Sequence, residues 1–326
     1  MSRSARPLPA GGAPSPGAVE RHATTSIVAV IVAYHPDPSI VGTLLERLLA
    51  SCEGIVVVDN GNDPALHARC AALESARVRY LANESNLGVA AALNRGVATA
   101  WEMGATHVLL SDHDSLPAPD MPTILHRARA SLEASGTRVA AIGPMYSDRL
   151  RPADSPVVCV IDGRFRRVPI GTVNAPMQLD YLITSGSLIS RAAWDAIGPM
   201  NEALFIDYVD IEWGLRARRL GWSCHVEPAA CMSHAIGSAP RRVLGRDITV
   251  HAPSRLYYQT RNAVFLLRHP DVPINWKRAI RASMLPRLIA YPLAVSPRLA
   301  NLRMILLGLY HGLRGRMGPL DMPGGR

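Results

Sequence analysis

Leu109-Leu110-Ser111-Asp112-His113-Asp114-Ser115 is the stretch best equipped for chemistry. An apolar run from Thr106 to Leu110 reads as a buried strand, and two carboxylates one residue apart end it. The carboxyl ends of parallel strands border the crevice where open α/β sheets bind ligands. Two hard oxygen ligands there suit Mg²⁺ or Mn²⁺ together with a diphosphate. Such ions are usually held by one or two carboxylates plus phosphate oxygens. The same residues also suit a polar turn, with Asp112 or Ser115 capping the next helix and Pro117 and Pro119 barring further strand.

Other polar positions share that character. Asp59 follows a β-branched run, Ile55–Val58, where an acid can meet the ribose or base of a nucleotide. Asp59-Asn60-Gly61 is equally an Asx-turn composition. No Gly-x-Gly-x-x-Gly follows any strand, which excludes the Rossmann dinucleotide fingerprint. Asn86-Leu87-Gly88 opens a helix containing Asn94 and Gly96. A glycine there lets backbone N–H groups approach a phosphate, while Asn86 also suits an ordinary N-cap. Further on, Asp207, Asp210 and Glu212 stand in six residues, at the start of a helix expected over 207–220. Asp207 and Asp210, three apart, would share a helical face. A carboxylate there could serve as general base towards a hydroxyl, or could simply answer the positive helix end. His234 could complete a metal shell or face solvent.

The elements that must position these residues alternate. Strands are expected at Ser26–Tyr34, Ile55–Val58, Val78–Leu81, Thr106–Leu110 and Val139–Ile142, with helices at Ile40–Ala50 (capped by Ser39), Pro64–Leu73, Val89–Met103 and Pro122–Ala134. That alternation predicts an α/β fold with a mostly parallel sheet covered on both faces. Four strand ends, at Tyr34, Asp59, Asn83 and Asp112, then fall on one rim. Residues 145–180 read as antiparallel hairpins. Leu179–Thr184 reads as a strand leading into Ser185-Gly186-Ser187, Arg191–Ile197 as a helix and Trp222–Val226 as a strand. Beyond His251 the pattern is helical to near Leu313, broken at Pro270, Pro273, Pro286, Pro292 and Pro297.

In order, strand-Tyr34, strand-Asp59, Asn86-x-Gly88, Asp112-x-Asp114, the turn near Gly186, Asp210-x-Glu212 with Arg216, and His234 closely resemble the family-2 glycosyltransferases of GT-A fold. The Asp-x-Asp-Ser-x-Pro and Tyr-x-Asp-x-Glu-Trp-x-x-Arg forms and Arg261-Asn262 look like the bacterial rhamnosyltransferase branch. The resemblance covers residues 26–270. It implies a Rossmann-like sheet and inverting, metal-dependent transfer of a sugar, rhamnose or another deoxyhexose, from a dTDP- or UDP-sugar. It further implies Tyr34 at the mouth of the nucleotide pocket and Asp59 on the base or ribose. Asn86 and Gly88 would lie beside the nucleotide, Asp112 and Asp114 on nucleotide and metal, and His234 near the metal. Asp210 matches the catalytic base, with Asp207, Glu212 and Arg216 beside it towards the acceptor. One departure stands out: many members carry Glu-Asp where this chain has Val209-Asp210.

With 48% hydrophobic and 19% charged residues, the 326-residue chain has the composition of a globular protein. Five scattered cysteines without a Cys-x-x-Cys fit a reducing cytosol better than a disulfide framework. Residues 1–25, rich in Pro, Gly, Ala and Ser, are expected to be a disordered tail. The net charge of +9 combines a −3 body with a +12 end, because residues 241–326 hold 15 Arg or Lys against 3 Asp or Glu. The basic, amphipathic segment 271–326 suits a membrane surface; it also suits a helical lid. Nucleic acid is not the expected partner, since no recognised binding motif accompanies the charge. The expected setting is therefore cytoplasmic, peripheral on the inner face of the membrane, with a glycan or polyprenol-linked acceptor. Two rivals remain: a sugar-phosphate nucleotidyltransferase, and a non-catalytic membrane-docked sugar-nucleotide binder. The first needs a Gly-rich basic loop after the first strand, where this chain reads Tyr34-His35-Pro36-Asp37-Pro38. The second would bind nucleotide without transfer.

Overall fold

The computed structural model describes residues 25–73, 77–148, 157–167, 173–234, 241–243, 246–248 and 252–320. The expected N-terminal tail falls almost wholly outside them. The chain opens with β1 (Ile27–Ala33), α1 (Pro38–Ser51), β2 (Gly54–Asp59), α2 (Pro64–Ala72), β3 (Val78–Ala82), α3 (Val89–Glu102) and β4 (His107–Asp112). There follow β5 (Ser115–Pro117), α4 (Met121–Ala134), β6 (Val139–Asp148), the hairpin β7 (Val158–Ile161) and β8 (Arg164–Arg167), β9 (Met177–Leu179), β10 (Leu188–Ser190) and α5 (Arg191–Ile197). The last part holds α6 (Val209–Arg219), β11 (Ser223–His234), the small hairpin β12 (Arg241–Val243) and β13 (Arg246–Ile248), and α7 (Pro253–Arg268), α8 (Ile274–Ala294) and α9 (Arg298–Arg314).

One sheet runs β3-β2-β1-β4-β10-β6-β11-β5, with β9 paired to β11. β3, β2, β1 and β4 are parallel neighbours, β10 is antiparallel to both β4 and β6, and β6 and β11 are parallel. The fold is thus the expected mostly parallel sheet flanked by helices, made mixed by the antiparallel pairs of β10, β5 and β9. β1 and β2 are buried at every residue, as strands covered on both faces must be. α3 lies close on the sheet through Gly96. A Cβ there would stand 2.4 Å from Val30 and 2.9 Å from Val58.

The structure departs from the sequence reading at several places, each for a local reason. Asp37, not Ser39, caps α1, accepting from the Ser39 and Ile40 amides. Pro117 does not end strand structure. It pairs with Met232 on the sheet's outermost strand, where a missing N–H is tolerated. β6 continues through Asp148, which removes residues 145–148 from the expected hairpins. Only Met177–Leu179 of the stretch before the small-residue turn is strand. β11 extends from Ser223 to His234, with an irregularity between Glu227 and Cys231. Pro286 and Pro292 lie inside α8 without ending it.

Candidate active site

The parallel register brings the predicted strand ends together. Ala33 of β1 pairs with Asp59 on one side, while Val32 pairs with Asp112 on the other. Asp59 and Asp112 therefore sit two strand spacings apart, about 10 Å, across the carboxyl end of β1. Asp59 also pairs with Ala82, just before Asn83. Tyr34, 48% exposed, follows β1 on the same rim.

Asp59 is fully buried, and its carboxylate accepts from the Gly61 amide (2.8 Å), the Asp63 amide (2.7 Å) and the Tyr80 hydroxyl (2.7 Å). The first of these closes the Asx turn its composition allows. Buried Asn60 then ties two loops together: its Oδ1 accepts from Asn83 Nδ2 (2.7 Å) and the Leu87 amide (3.2 Å), and its Nδ2 donates to the Gly88 carbonyl (3.1 Å). Asn86 does not cap α3; its Oδ1 accepts from the Gly88 amide (2.9 Å), and Gly88 occupies the cap position with φ +85°. A Cβ on Gly88 would lie 2.6 Å from both the ring and the carbonyl oxygen of Phe205. Glycine is required here by conformation and by contact.

The Asp-x-Asp stretch is fixed from below by a serine. Ser185, fully buried, accepts from the Asp112 amide (2.9 Å) and donates to Ser115 Oγ (2.7 Å), while its carbonyl accepts from the Tyr146 hydroxyl (2.8 Å). Gly186 (φ +79°) makes this possible, since a Cβ would lie 2.7 Å from Pro144. Tyr146 is buried, and its hydroxyl pKa stands well above the usual tyrosine value, first through burial and then through the Asp112 and Asp210 carboxylates. One hydroxyl thus feels both acids, although they lie about a hundred residues apart in sequence.

Residues 205–208 carry the approach to Asp210, and their backbone is unusual. Phe205, Asp207 and Tyr208 have φ of 65°, 62° and 67°. The Ile206 amide donates to the Leu204 carbonyl (2.8 Å), a γ-turn centred on Phe205. Left-handed conformations in bulky residues cost of order 1–3 kcal/mol each and persist only where surroundings impose them. Those surroundings are Arg261 and Asn262 of α7, both fully buried. Asn262 Nδ2 lies 2.8–2.9 Å from the carbonyls of Leu204, Ile206 and Asp207, and Arg261 donates to those of Ala203 (3.1 Å) and Leu204 (2.9 Å). Replacing Asn262 with Ala takes this donor from the Ile206 and Asp207 carbonyls, each worth about 1–3 kcal/mol when buried unpaired, while the Leu204 carbonyl keeps Arg261 and the Ile206 amide. Chemical denaturation is expected to show a loss of about 2–4 kcal/mol.

This geometry corrects the expected 207–220 helix. α6 begins at Val209, so Asp207 is not on a helical face shared with Asp210. Its left-handed backbone turns it to Arg255, which holds it in a two-pronged ion pair (Nε–Oδ2 3.1 Å, Nη2–Oδ1 3.1 Å). Burial lowers the Arg255 pKa, but the carboxylates of Asp207, Asp112 and Asp114 outweigh it and hold the guanidinium above its usual value. Asp210 is raised to about 7. Burial is the main cause, the Ile211 amide opposes it, and the Asp207 and Asp112 carboxylates add to it. Asp112, Asp114, Asp207 and Asp210 therefore share one electrostatic neighbourhood. Glu212 and Arg216 instead brace α6: they pair at 3.0 Å, and Arg216 donates to the carbonyls of Ile197 (2.7 Å) and Pro199 (2.8 Å). The His234 backbone lies across from Ser115, next to Asp114 in sequence.

Sequence reasoning missed Tyr146, Ser185 as a hub, and Arg255. Ser185 had a signal in the turn at Gly186; the other two had none, because only the fold brings α7 and β6 to this rim. Among the described residues, no three His, Cys, Asp or Glu are grouped to hold an ion by themselves. Asp112 and Asp114 fit a hard divalent cation that takes its remaining oxygens from a bound diphosphate.

Residues 24–247 match the protein family described as glycosyltransferase like family 2. The dTDP-rhamnosyl transferase RfbF of Shigella flexneri is 32% identical over 252 residues, covering 77% of this chain and 82% of that protein. An N-acetylglucosaminyl-diphospho-decaprenol L-rhamnosyltransferase of Mycobacterium tuberculosis is 26% identical over 287 residues, covering 78% of this chain and 89% of that one. Among solved structures, GalNAc-T7 with UDP, GalNAc and Mn²⁺ superposes with a TM-score of 0.55 at 14% identity over 79% of this chain. The likeness spans only about half, 54%, of the GalNAc-T7 chain and bears on the fold alone.

Proposed function

Since this chain belongs to glycosyltransferase family 2, we propose that it moves rhamnose, or a similar deoxyhexose, from a dTDP- or UDP-sugar to a hydroxyl of a surface glycan or polyprenol-linked acceptor. The names of its relatives favour dTDP-rhamnose as donor and a lipid-linked saccharide as acceptor. Residues 26–270 form the transfer unit in this reading. It works at the cytoplasmic face of the membrane; among the described residues no helix is long and apolar enough to cross one.

The observation that carries the proposal is Asp210, a part-buried carboxylate at the start of α6 that shares the field of Asp112 and Asp207 and is raised to about 7. A general base is most effective when its pKa lies near the working pH. Asp210 takes the proton of the acceptor hydroxyl as that oxygen attacks the anomeric carbon. The bond from that carbon to the phosphate oxygen breaks on the opposite face, so a single displacement inverts the configuration. Tyr34 lines the nucleotide side, Asp59 shapes it from beneath by holding the Gly61 and Asp63 amides, and Asn86 and Gly88 shape the adjoining loop. Asp112 and Asp114, with His234 a further candidate, would hold Mg²⁺ or Mn²⁺, whose Lewis acidity offsets charge on the leaving diphosphate. Asp207 orients Arg255, and Glu212 with Arg216 holds α6 in place.

Against a nucleotidyltransferase stands the loop after β1, where Asp37 is spent on capping α1 instead of leaving room for a Gly-rich triphosphate cradle. A thermal-shift screen of nucleoside diphosphates and their sugars, with and without Mn²⁺, tests the donor. dTDP and dTDP-rhamnose are expected to raise Tm more with Mn²⁺ than without. No shift with any of them, with or without the ion, would sink the reading.

A further inference from the structure

α9 is apolar on two opposite sides. Its inner side meets α7 through Gly308 and Gly312, where a Cβ would stand 2.6 Å from the Tyr257 carbonyl oxygen and 2.8 Å from Val264. Ile305 joins Leu256, Tyr291 and Val295 in a small core shared with α7 and α8. The outer side nevertheless presents Leu299 (83% exposed), Leu302, Leu306 (55%) and Tyr310. Leu299, Leu302, Leu306 and Tyr310 line one shallow cleft together with Arg303, and Ile289 (60%) and Leu293 (68%) are exposed on the second half of α8. Of thirteen large hydrophobic residues exposed among the described residues, nine lie in α8 or α9. Scattered exposed leucines need no explanation, but a contiguous patch marks an interaction surface.

Charge decides the partner. Residues 272–320 hold eight Arg or Lys and no Asp or Glu. A second copy of the chain would set this acid-free, cationic surface against itself. A bilayer with anionic headgroups complements it, with leucines entering the acyl boundary and arginines reaching up to phosphates. Neither helix is apolar enough to cross. We propose that the outer surface formed by α9 and the second half of α8 lies flat on an anionic lipid bilayer. Arg255, which pairs with Asp207, is followed in α7 by Leu256, a member of the core beneath this surface, so docking fixes how the rim with Asp112 and Asp210 stands relative to the membrane.

The inference names the surface that would bring a lipid-linked acceptor to the enzyme, and to that extent it rests on the transfer reading. Sedimentation of the full chain with vesicles reads docking alone, so the two can fail separately. The chain is expected to sediment with vesicles of mixed phosphatidylcholine and phosphatidylglycerol, and far less with phosphatidylcholine only. Leu302→Ser with Leu306→Ser should weaken sedimentation by about tenfold or more, leaving the thermal shift by dTDP and Mn²⁺ unchanged. Three results would overturn the proposal: no binding to the anionic vesicles, equal binding by the double variant, or a dimer that the double variant dissociates.

Discussion

Asp210→Asn is expected to lower sugar transfer by about 10²–10⁴-fold, the usual contribution of a general base, while making the protein slightly harder to unfold. The two effects share one cause. Burial raises the Asp210 carboxyl to about 7, and the Asp207 and Asp112 carboxylates add to the shift. The folded chain thus holds a proton there that an unfolded aspartate gives up near 4. A raised carboxyl favours the folded state fully below the unfolded value, and that advantage is lost as pH rises through about 7. At pH 8 the ionised Asp210 is a liability that an amide removes, and a Tm higher by about 2 °C is expected. In the native enzyme kcat/KM should rise about tenfold per pH unit below 7 and level off above it, as required of an essential base in the free enzyme. Wild-type activity in Asp210→Asn would exclude Asp210 as the base. A lower Tm together with lost activity would instead point to a structural role.

Asp114→Asn is the second large loss, expected at about 10²–10³-fold in transfer, the several kcal/mol a bound Lewis acid supplies. Its signature differs from that of Asp210→Asn. The variant should lose the Mn²⁺-dependent part of the Tm rise given by dTDP, whereas Asp210→Asn should keep it. Asp114 follows the end of β4 on a short turn into β5, and Asp112 is fixed by Ser185 through its amide (2.9 Å). The amide side chain is close in size to the acid, so the fold is not at risk. Undiminished Mn²⁺ dependence in Asp114→Asn would remove it from the metal site.

Which of these residues could be recognised in advance depended on how local their chemistry is. Asp59, Asp112 and Asp114 announce themselves because buried apolar runs end abruptly in acids, and a parallel sheet must carry such ends to one rim. Gly88 and Gly186 follow the same logic, since positive φ leaves its mark on residue choice. Asp207 misled the helix reading. Acids at three-residue spacing look helical, yet Phe205, Asp207 and Tyr208 have positive φ, a conformation held by Asn262 more than fifty residues later. Arg255 and Tyr146 gave no local sign, because each acquires its neighbours only when α7 and β6 are packed against the rim.

The amino-acid sequence by itself determined the strand and helix order, the shared rim of polar strand ends and the cationic end, because periodicity, turn chemistry and charge act over a few residues. Tertiary structure alone decided which acid is free and which is paired. Arg255 occupies Asp207, Arg216 occupies Glu212, and Asp210 is left part-buried and raised within the field of Asp112. Desolvation and through-space charge depend on what the fold brings within a few ångströms, and no stretch of sequence encodes that alone.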